Sequence, residues 1–176
     1  MSPISYQGPM AEDESAKHRH SQTADSNLGV GHPGLTVAAI LADKGDYIYS
    51  VTPHTTVMEL VSEFTRLRVG ALVVVDSSNE PIGIVSERDI PRSVDAKGLG
   101  VFEGPVEDIM TPRPQTCSPN DKIEDILKRM TEGGFRHMPV TEAGKLCGMV
   151  SMRDAARHRI LEIEYEFLKM KQAVVG

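Results

Sequence analysis

Long hydrophobic runs are absent from this chain of 176 residues. No apolar stretch approaches the roughly 18 residues that a membrane-spanning helix needs. The amino terminus lacks the apolar core of a signal peptide, and it carries acidic residues, which transit peptides avoid. These absences predict a cytoplasmic protein that does not contact a membrane.

Basic clusters are also absent, and the formal net charge is −6 at neutral pH. A protein that binds nucleic acid through its phosphates needs concentrated positive charge, so we expect no nucleic-acid partner. The six histidines show no zinc-binding spacing, and there are only two cysteines. We therefore expect neither a metal site nor a disulfide.

What the chain does contain is an internal duplication. Residues 83–89 read Gly-Ile-Val-Ser-Glu-Arg-Asp, and 65 positions later residues 148–154 read Gly-Met-Val-Ser-Met-Arg-Asp. Upstream, Cys117 aligns with Val51, and Cys147 aligns with Ile82. Because an aliphatic residue occupies the matching position in the first copy, both cysteines are predicted to be small hydrophobic residues of the core. The duplication predicts two similar units that pack as a pair.

Each copy follows the order strand, helix, strand, strand, helix. In the first copy the apolar spacing predicts a helix that begins at Thr55, and strands over 47–51, 71–75 and 82–85. In the second copy it predicts a helix over 123–130, and strands over 115–117, 137–140 and 146–150. The predicted fold class is therefore α/β, with two β-α-β-β-α repeats related by a pseudo-two-fold axis.

The repeat also sets the expected domain boundaries. Residues 1–36, rich in Ser, His, Gly, Pro and acids, are expected to be a disordered or loosely ordered tail. The remaining segments are a first repeat over 37–94, a linker over 95–105, a second repeat over 106–160 and an extension of the last helix over 161–176.

The last helix, predicted over 152–173, is longer than one repeat can cover. Its apolar residues Ile160, Ile163, Phe167, Met170 and Val174 recur at spacings of three and four. We expect this stripe to pack on a second copy of the chain in a homodimer. The alternative is a helix that folds back on its own subunit.

The duplicated motif, the order of the elements and the lead-in Asp108-Ile-Met-Thr-Pro112 resemble a pair of cystathionine β-synthase (CBS) domains, together called a Bateman module. The resemblance covers residues 37–160. It implies a module that binds AMP, ADP, ATP, NADH or S-adenosylmethionine in the clefts between its repeats. Two aspartates would hold the ribose hydroxyls, two serines would lie by the phosphates and two arginines beside the anion: Asp89 and Asp154, Ser86 and Ser151, Arg88 and Arg153.

Elementary chemistry supports these roles. Helix N-termini and arginines attract phosphate, whereas an ionised aspartate repels it. The aspartates must therefore face hydrogen-bond donors, such as the two hydroxyls of a ribose. The alternative is that Ser-x-x-Asp is only a helix capping box, worth about 1 kcal/mol, which leaves the repeated arginine unexplained.

Three further residues are candidate phosphate contacts: Arg136 and His137 in the second strand of the second repeat, and Lys44 before the first strand. Each has an ordinary alternative as a solvated side chain. Pro91 is predicted to lie about five residues into a helix, where its missing N–H would kink the turn that shapes the first site. Six apolar residues are expected to shape adenine slots or to be ordinary core: Ile48, Val51, Ala71, Ile84, Cys117 and Val150.

The expected function is that of a free-standing regulatory protein. It would bind an adenosine nucleotide as a regulatory ligand, require no cofactor, and signal to an unknown effector protein in trans. The motifs present no nucleophile with an adjacent base, so no catalysis is expected. The alternatives are a structural dimerisation module with degenerate ligand sites, and a small enzyme that uses a nucleotide as its substrate.

Overall fold

The computed structural model describes residues 6–7, 35–45 and 48–175. The predicted tail lies outside these residues, apart from positions 6–7 and 35–36. The described helices are α1 (Val37–Lys44), α2 (Val57–Leu67), α3 (Asp89–Lys97), α4 (Ile123–Gly133) and α5 (Met152–Val175). The described strands are β1 (Tyr6–Gln7), β2 (Ile48–Val51), β3 (Ala71–Val75), β4 (Pro81–Ser86), β5 (Thr111–Pro112), β6 (His137–Glu142) and β7 (Lys145–Ser151).

The first repeat is built on a five-stranded sheet in the order β1-β2-β3-β4-β5. Strands β2 and β3 are parallel, and the other neighbours are antiparallel. Strand β3 is buried along its whole length, as its continuous apolar sequence predicts. Helix α2 starts after Thr56, whose side chain forms a reciprocal capping box with Glu59. The predicted start at Thr55 is therefore two residues early.

The second repeat has a reduced sheet, because the strand predicted over 115–117 is only a bridge. Strands β6 and β7 are antiparallel, and Cys117 forms a single parallel bridge with Val140. Cys117 N–H donates to the carbonyl of Pro139, and its own carbonyl accepts from Thr141. A longer ladder would need an N–H from residue 139, which proline lacks. The equivalent position in the first repeat is Val73, which pairs with Ser50 in a regular ladder.

Each repeat is completed by the lead-in segment at the start of the other repeat. Helix α1 is the start of the first repeat in sequence, yet Val37 and Ile40 are buried in the second core. Val106 is the start of the second repeat in sequence, yet it is buried in the first core. The exchange is a consequence of burial: each repeat leaves an apolar face that its own helices do not cover.

A glycine of the duplicated motif makes each exchange possible. A Cβ on Gly148 would lie 2.6 Å from Leu41 Cδ2 of α1, and a Cβ on Gly83 would overlap the side chain of Met110. The absence of side chains here lets the lead-in segments pack directly on β7 and β4. This close packing gives the shared glycine of the motif a structural reason.

The two repeats also pack directly on each other. Val73 and Val75 of β3 form a buried cluster with Leu146 of β7. The backbone of Asn79 accepts from Leu146 N–H at 2.9 Å, and its side-chain amide donates to the Leu146 carbonyl at 3.1 Å. These contacts hold the two halves on either side of a shared cleft.

Helix α5 is continuous from the second core to its end. Its 24 residues span about 36 Å at 1.5 Å per residue. Ala155 and His158 are buried against the second repeat, whereas Ile160, Phe167 and Met170 are between 57% and 61% exposed. The α/β fold of paired repeats with an extended C-terminal helix, predicted from the sequence, is confirmed.

Candidate functional site

A cleft of about 740 Å³ lies between the two repeats. Its walls come from both copies of the duplicated motif, from the start of α3 and of α5, and from the end of α1. All nine site residues predicted from the sequence line this one cleft: Lys44, Ser86, Arg88, Asp89, Arg136, His137, Ser151, Arg153 and Asp154. The duplicated motifs therefore face each other across a common space.

In the first half of the cleft, Asp89 is the first residue of α3. One carboxylate oxygen, Oδ2, accepts hydrogen bonds from the backbone N–H and the hydroxyl of Ser86, both at 2.7 Å. The residue in the N-cap position, Arg88, makes no side-chain capping bond and is exposed. Asp89 is thus held in place by Ser86, with its other oxygen available to a hydrogen-bond donor.

In the second half, Asp154 has the same contacts and two more. Its Oδ2 accepts from Ser151 N–H at 3.0 Å and from Ser151 Oγ at 2.7 Å, and Asp154 N–H donates to Ser151 Oγ at 3.2 Å. The same Oδ2 also accepts from Lys44 Nζ at 2.8 Å. Burial opposes ionisation of Asp154, but the hydrogen bonds from Lys44 and Ser151 outweigh it and lower the pKa of this carboxyl.

The capping alternative is therefore part of the site. Ser151 and Asp154 form the full reciprocal capping box at the start of α5. Ser86 and Asp89 form only the half in which aspartate accepts, and Ser86 lies two residues before Arg88, the N-cap of α3. Each serine–aspartate pair uses one oxygen of its aspartate. Capping orients these carboxylates toward the cleft and does not exhaust their capacity to accept hydrogen bonds.

The cleft is rich in positive charge although the chain as a whole is acidic. Its lining includes five cationic side chains and three carboxylates. The cations are Lys44, Arg88, Arg92, Arg136 and Arg153, and the carboxylates are Glu87, Asp89 and Asp154. An anion is favoured at this place on a protein with a formal net charge of −6.

His137 is partly buried at the start of β6. Burial lowers the pKa of this imidazole, and the nearby charges of Lys44 and Arg88 lower it further, against the opposing effect of Asp154. His137 is consequently neutral at pH 7 and can both donate and accept a hydrogen bond in the cleft.

Several lining residues were missed by the sequence reasoning. Arg92 lies one turn after Arg88 on α3, a spacing of four that places both on one helix face and that could have been found. Phe135, Thr111 and Met152 also line the cleft. Thr111 reaches it only because β5 crosses to the first repeat, so no local pattern could have indicated it.

Of the six residues predicted for adenine slots, Ala71 and Ile84 line the cleft. Val51, Cys117 and Val150 are buried in the two repeat cores instead, and Ile48 packs against the cluster between the repeats. The ordinary core alternative is the observed one for these four. Burial raises the pKa of the Cys117 thiol to about 12, and burial also raises that of Cys147.

The predicted kink at Pro91 does not occur. Helix α3 begins at Asp89, so Pro91 is its third residue. An N–H in the first turn of a helix has no intrahelical partner, and proline loses nothing there. The prediction was wrong because it started the helix too early.

Within residues 6–7, 35–45 and 48–175, no group of three or more His, Cys, Asp or Glu side chains is arranged to hold a metal ion. No helix in that part of the chain combines the length and the hydrophobicity needed to cross a bilayer.

Comparison with known proteins shows the family to which this chain belongs. The sequence matches the family model of the CBS domain twice, over residues 45–95 and 106–160. The chain belongs to the CBS-domain family. It is 35% identical over 130 residues to an uncharacterized 17.7 kDa protein of Acidianus ambivalens, an alignment that covers 73% of this chain and 77% of that one. It covers only 28% of the CBS domain-containing protein CBSCBSPB1 of Arabidopsis thaliana, at 30% identity.

Solved CBS structures share the fold. A putative signal-transduction protein with CBS domains from Burkholderia ambifaria is 35% identical, with a TM-score of 0.67 over 72% of this chain and 95% of that one. CBSX2, solved in complex with AMP, is 26% identical, with a TM-score of 0.61 over 74% and 99% of the two chains. PAE2072 of Pyrobaculum aerophilum, also complexed with AMP, is 28% identical, with a TM-score of 0.61 over 68% and 89%.

Proposed function

We propose that this CBS pair is a regulatory module that binds an adenosine nucleotide in the cleft between its repeats and signals its occupancy to another protein. The observation that carries the proposal is the convergence of both duplicated motifs on one cation-rich cleft. Two similar CBS pairs that are named as AMP complexes support AMP as the first ligand to test. ADP, ATP, NADH and S-adenosylmethionine form the rest of the panel.

The proposed roles follow from the chemistry of each group. The carboxylates of Asp89 and Asp154 accept hydrogen bonds from ribose hydroxyls, because an ionised carboxylate repels phosphate and binds neutral donors. The arginine of each motif supplies the planar donors that phosphate oxygens accept: Arg88 and Arg153. Ser86 and Ser151 orient the carboxylates and lie beside the phosphate.

The proposed output is conformational and not chemical. The Ser86 and Ser151 hydroxyls are both engaged as donors to aspartate. Cys117, with a pKa of about 12, is protonated at neutral pH and buried. Binding can change the arrangement of the repeats only through different affinities for two states, and an effector in trans would read that difference.

We also propose that the protein is a homodimer through α5. Ile160, Ile163, Phe167 and Met170 are at least half exposed and recur at heptad-like spacings. In a parallel pair of these helices, Glu166 of one copy would lie near Lys171 of the other, at the flanking positions where opposite charges select a partner. A second copy of the chain would therefore cover the apolar stripe and pair with the charges beside it.

The nucleotide proposal is tested by calorimetric titration of AMP into the wild-type protein and into Asp89→Asn and Asp154→Asn. Removing one charged acceptor of a ribose hydroxyl is expected to weaken binding at that half by about tenfold. Asp125→Asn is the matched control, since Asp125 is an exposed acid in the first turn of α4, outside the cleft. Equal AMP affinity in all four proteins, or no binding of any ligand of the panel, would refute the proposal.

A further inference from the structure

The two halves of the cleft differ in one cation. In the second half, Lys44 Nζ lies 2.8 Å from Asp154 Oδ2 and 3.0 Å from the carbonyl oxygen of Met149. The side chain of Asp154 is only 26% exposed, so this ion pair is partly shielded from water. In the first half, the carboxylate of Asp89 accepts hydrogen bonds only from Ser86 among the described residues.

The difference comes from the way each lead-in segment continues. Leu41 packs on Gly148, and α1 carries on as a helix, so that Lys44 follows one turn later and points into the cleft. Met110 packs on Gly83 in the same way, and Arg113 follows at the same spacing.

The chain after Met110 is a strand and not a helix. Arg113 adopts a left-handed backbone conformation with φ of 49°, donates its N–H to the carbonyl of Ile82, and does not line the cleft. No cation of this lead-in therefore reaches Asp89. The two halves of the cleft therefore differ because one lead-in segment continues as a helix and the other as a strand.

The extra contact bears on ribose recognition. A ribose diol offers two donors, which a carboxylate binds best with both of its oxygens. Three donors already crowd Asp154 Oδ2: the backbone and hydroxyl of Ser151, and Lys44. A ribose that binds through both oxygens of Asp154 must first displace the lysine, whereas a ribose at Asp89 meets no such competitor.

We propose that Lys44 acts as an internal competitor at the Asp154 half, so that the Asp89 half binds an adenosine ligand first and the Asp154 half binds it more weakly. The inference rests on the proposed function and adds an order of filling to it. Displacement of Lys44 also couples occupancy to α1. That helix is held on α5 by the Asp43–His158 contact at 3.2 Å and by the bond from Leu35 N–H to Glu162 at 3.1 Å.

The test uses adenosine, which has the ribose diol but no phosphate. Lys44→Met removes the cation and keeps an unbranched side chain that is one atom shorter. We expect the wild-type protein to bind one equivalent of adenosine more tightly than the second, and Lys44→Met to tighten the second by about fivefold in calorimetry. Adding Asp154→Asn to Lys44→Met should abolish this gain in affinity for the second equivalent. For 2′-deoxyadenosine, which lacks one of the two ribose hydroxyls, Lys44→Met should give a smaller gain.

Lys97→Met is the matched control, because Lys97 also donates to a backbone carbonyl, that of Asp108 at 3.0 Å, but lies outside the cleft. It should bind adenosine as the wild type does. Thermal melts of both lysine variants establish that they are folded.

The remaining outcomes distinguish the proposed role of Lys44 from the proposed nucleotide-binding function. If Lys44 were a phosphate ligand, Lys44→Met would weaken AMP and leave adenosine unchanged, which would overturn the inference. Two equal equivalents in the wild type, or AMP binding with no adenosine binding to Lys44→Met, would overturn it as well while leaving the nucleotide proposal standing. Failure of every variant to bind adenosine or any ligand of the panel would remove the proposed function itself.

Discussion

Replacement of Gly148 by alanine tests the exchange of lead-in segments that shapes the cleft. The new Cβ would lie 2.6 Å from Leu41 Cδ2, 3.3 Å from Cδ1 and 3.5 Å from Cγ. Ordinary van der Waals contacts of a Cβ lie at 3.4–4 Å. The whole isobutyl group of Leu41 must therefore move, and α1 with it unless the side chain finds another rotamer.

The expected cost follows from overpacking in a core. Inserted methyl groups typically destabilise a well-packed core by about 1–3 kcal/mol. Leu41 is only partly buried at the edge of the second core, so its side chain can relax in part. We expect Gly148→Ala to lower the free energy of unfolding by about 1–2 kcal/mol, which corresponds to about 3–6 °C in melting temperature for a chain of this size.

The assay is urea denaturation followed by circular dichroism, since the chain has no tryptophan. Gly100→Ala is the control, because a Cβ on Gly100 meets nothing within 4 Å. Leu41→Ala should cost stability alone but cost less in combination with Gly148→Ala, because the smaller side chain makes room for the new methyl group. A double-mutant cycle measures this coupling.

Two results would refute the reasoning. One is a Gly148→Ala variant as stable as Gly100→Ala. The other is a double variant with Leu41→Ala that loses the full sum of the two single costs. Either would mean that α1 does not rest on β7 at this glycine.

Two further predictions concern the helix stripe and the site carboxylate. Phe167→Glu should shift the protein from dimer to monomer in light scattering, whereas Gln172→Glu, the same charge change off the stripe, should leave the mass unchanged; a dimeric Phe167→Glu protein would exclude this interface. Burial disfavours the charged form of Asp154, yet hydrogen bonds from Lys44 and Ser151 lower its pKa below the unfolded value. Its stabilising effect is therefore full above the unfolded pKa of about 3.9 and is lost as the pH falls through the lower folded value. The difference in unfolding free energy between wild type and Asp154→Asn should narrow from about pH 5 to pH 3, and a constant difference would argue against an ionised, stabilised Asp154.

The candidate site shows how far a repeat can carry a prediction. Both copies of the motif end a strand and begin a helix, so Ser86 and Ser151 and their aspartates could be placed at equivalent corners from the sequence alone. Their convergence on one cleft then follows if the repeats face each other. Arg92 was within reach of the same reasoning, since it shares a helix face with Arg88.

The errors have a common cause in local geometry that depends on single hydrogen bonds. Pro91 is harmless because α3 starts at Asp89, a boundary that periodicity does not define to the residue. The strand predicted over 115–117 is cut to the Cys117–Val140 bridge because the next residue of β6 along the ladder is Pro139, which has no N–H. An apolar sequence pattern predicts that a strand is buried, but it does not show whether every partner residue has the backbone N–H that a β-ladder needs.

The sequence by itself determined the duplication, the α/β repeats, the long last helix and the polar groups of the cleft, because these depend on short-range periodicity and on a motif that occurs twice. Only the tertiary structure decided that α1 covers the second repeat and that residues near Val106 cover the first. It also placed Lys44 on Asp154, 110 positions away in the chain. Contacts of this kind depend on which apolar faces remain uncovered after each repeat has folded, and no local pattern records that.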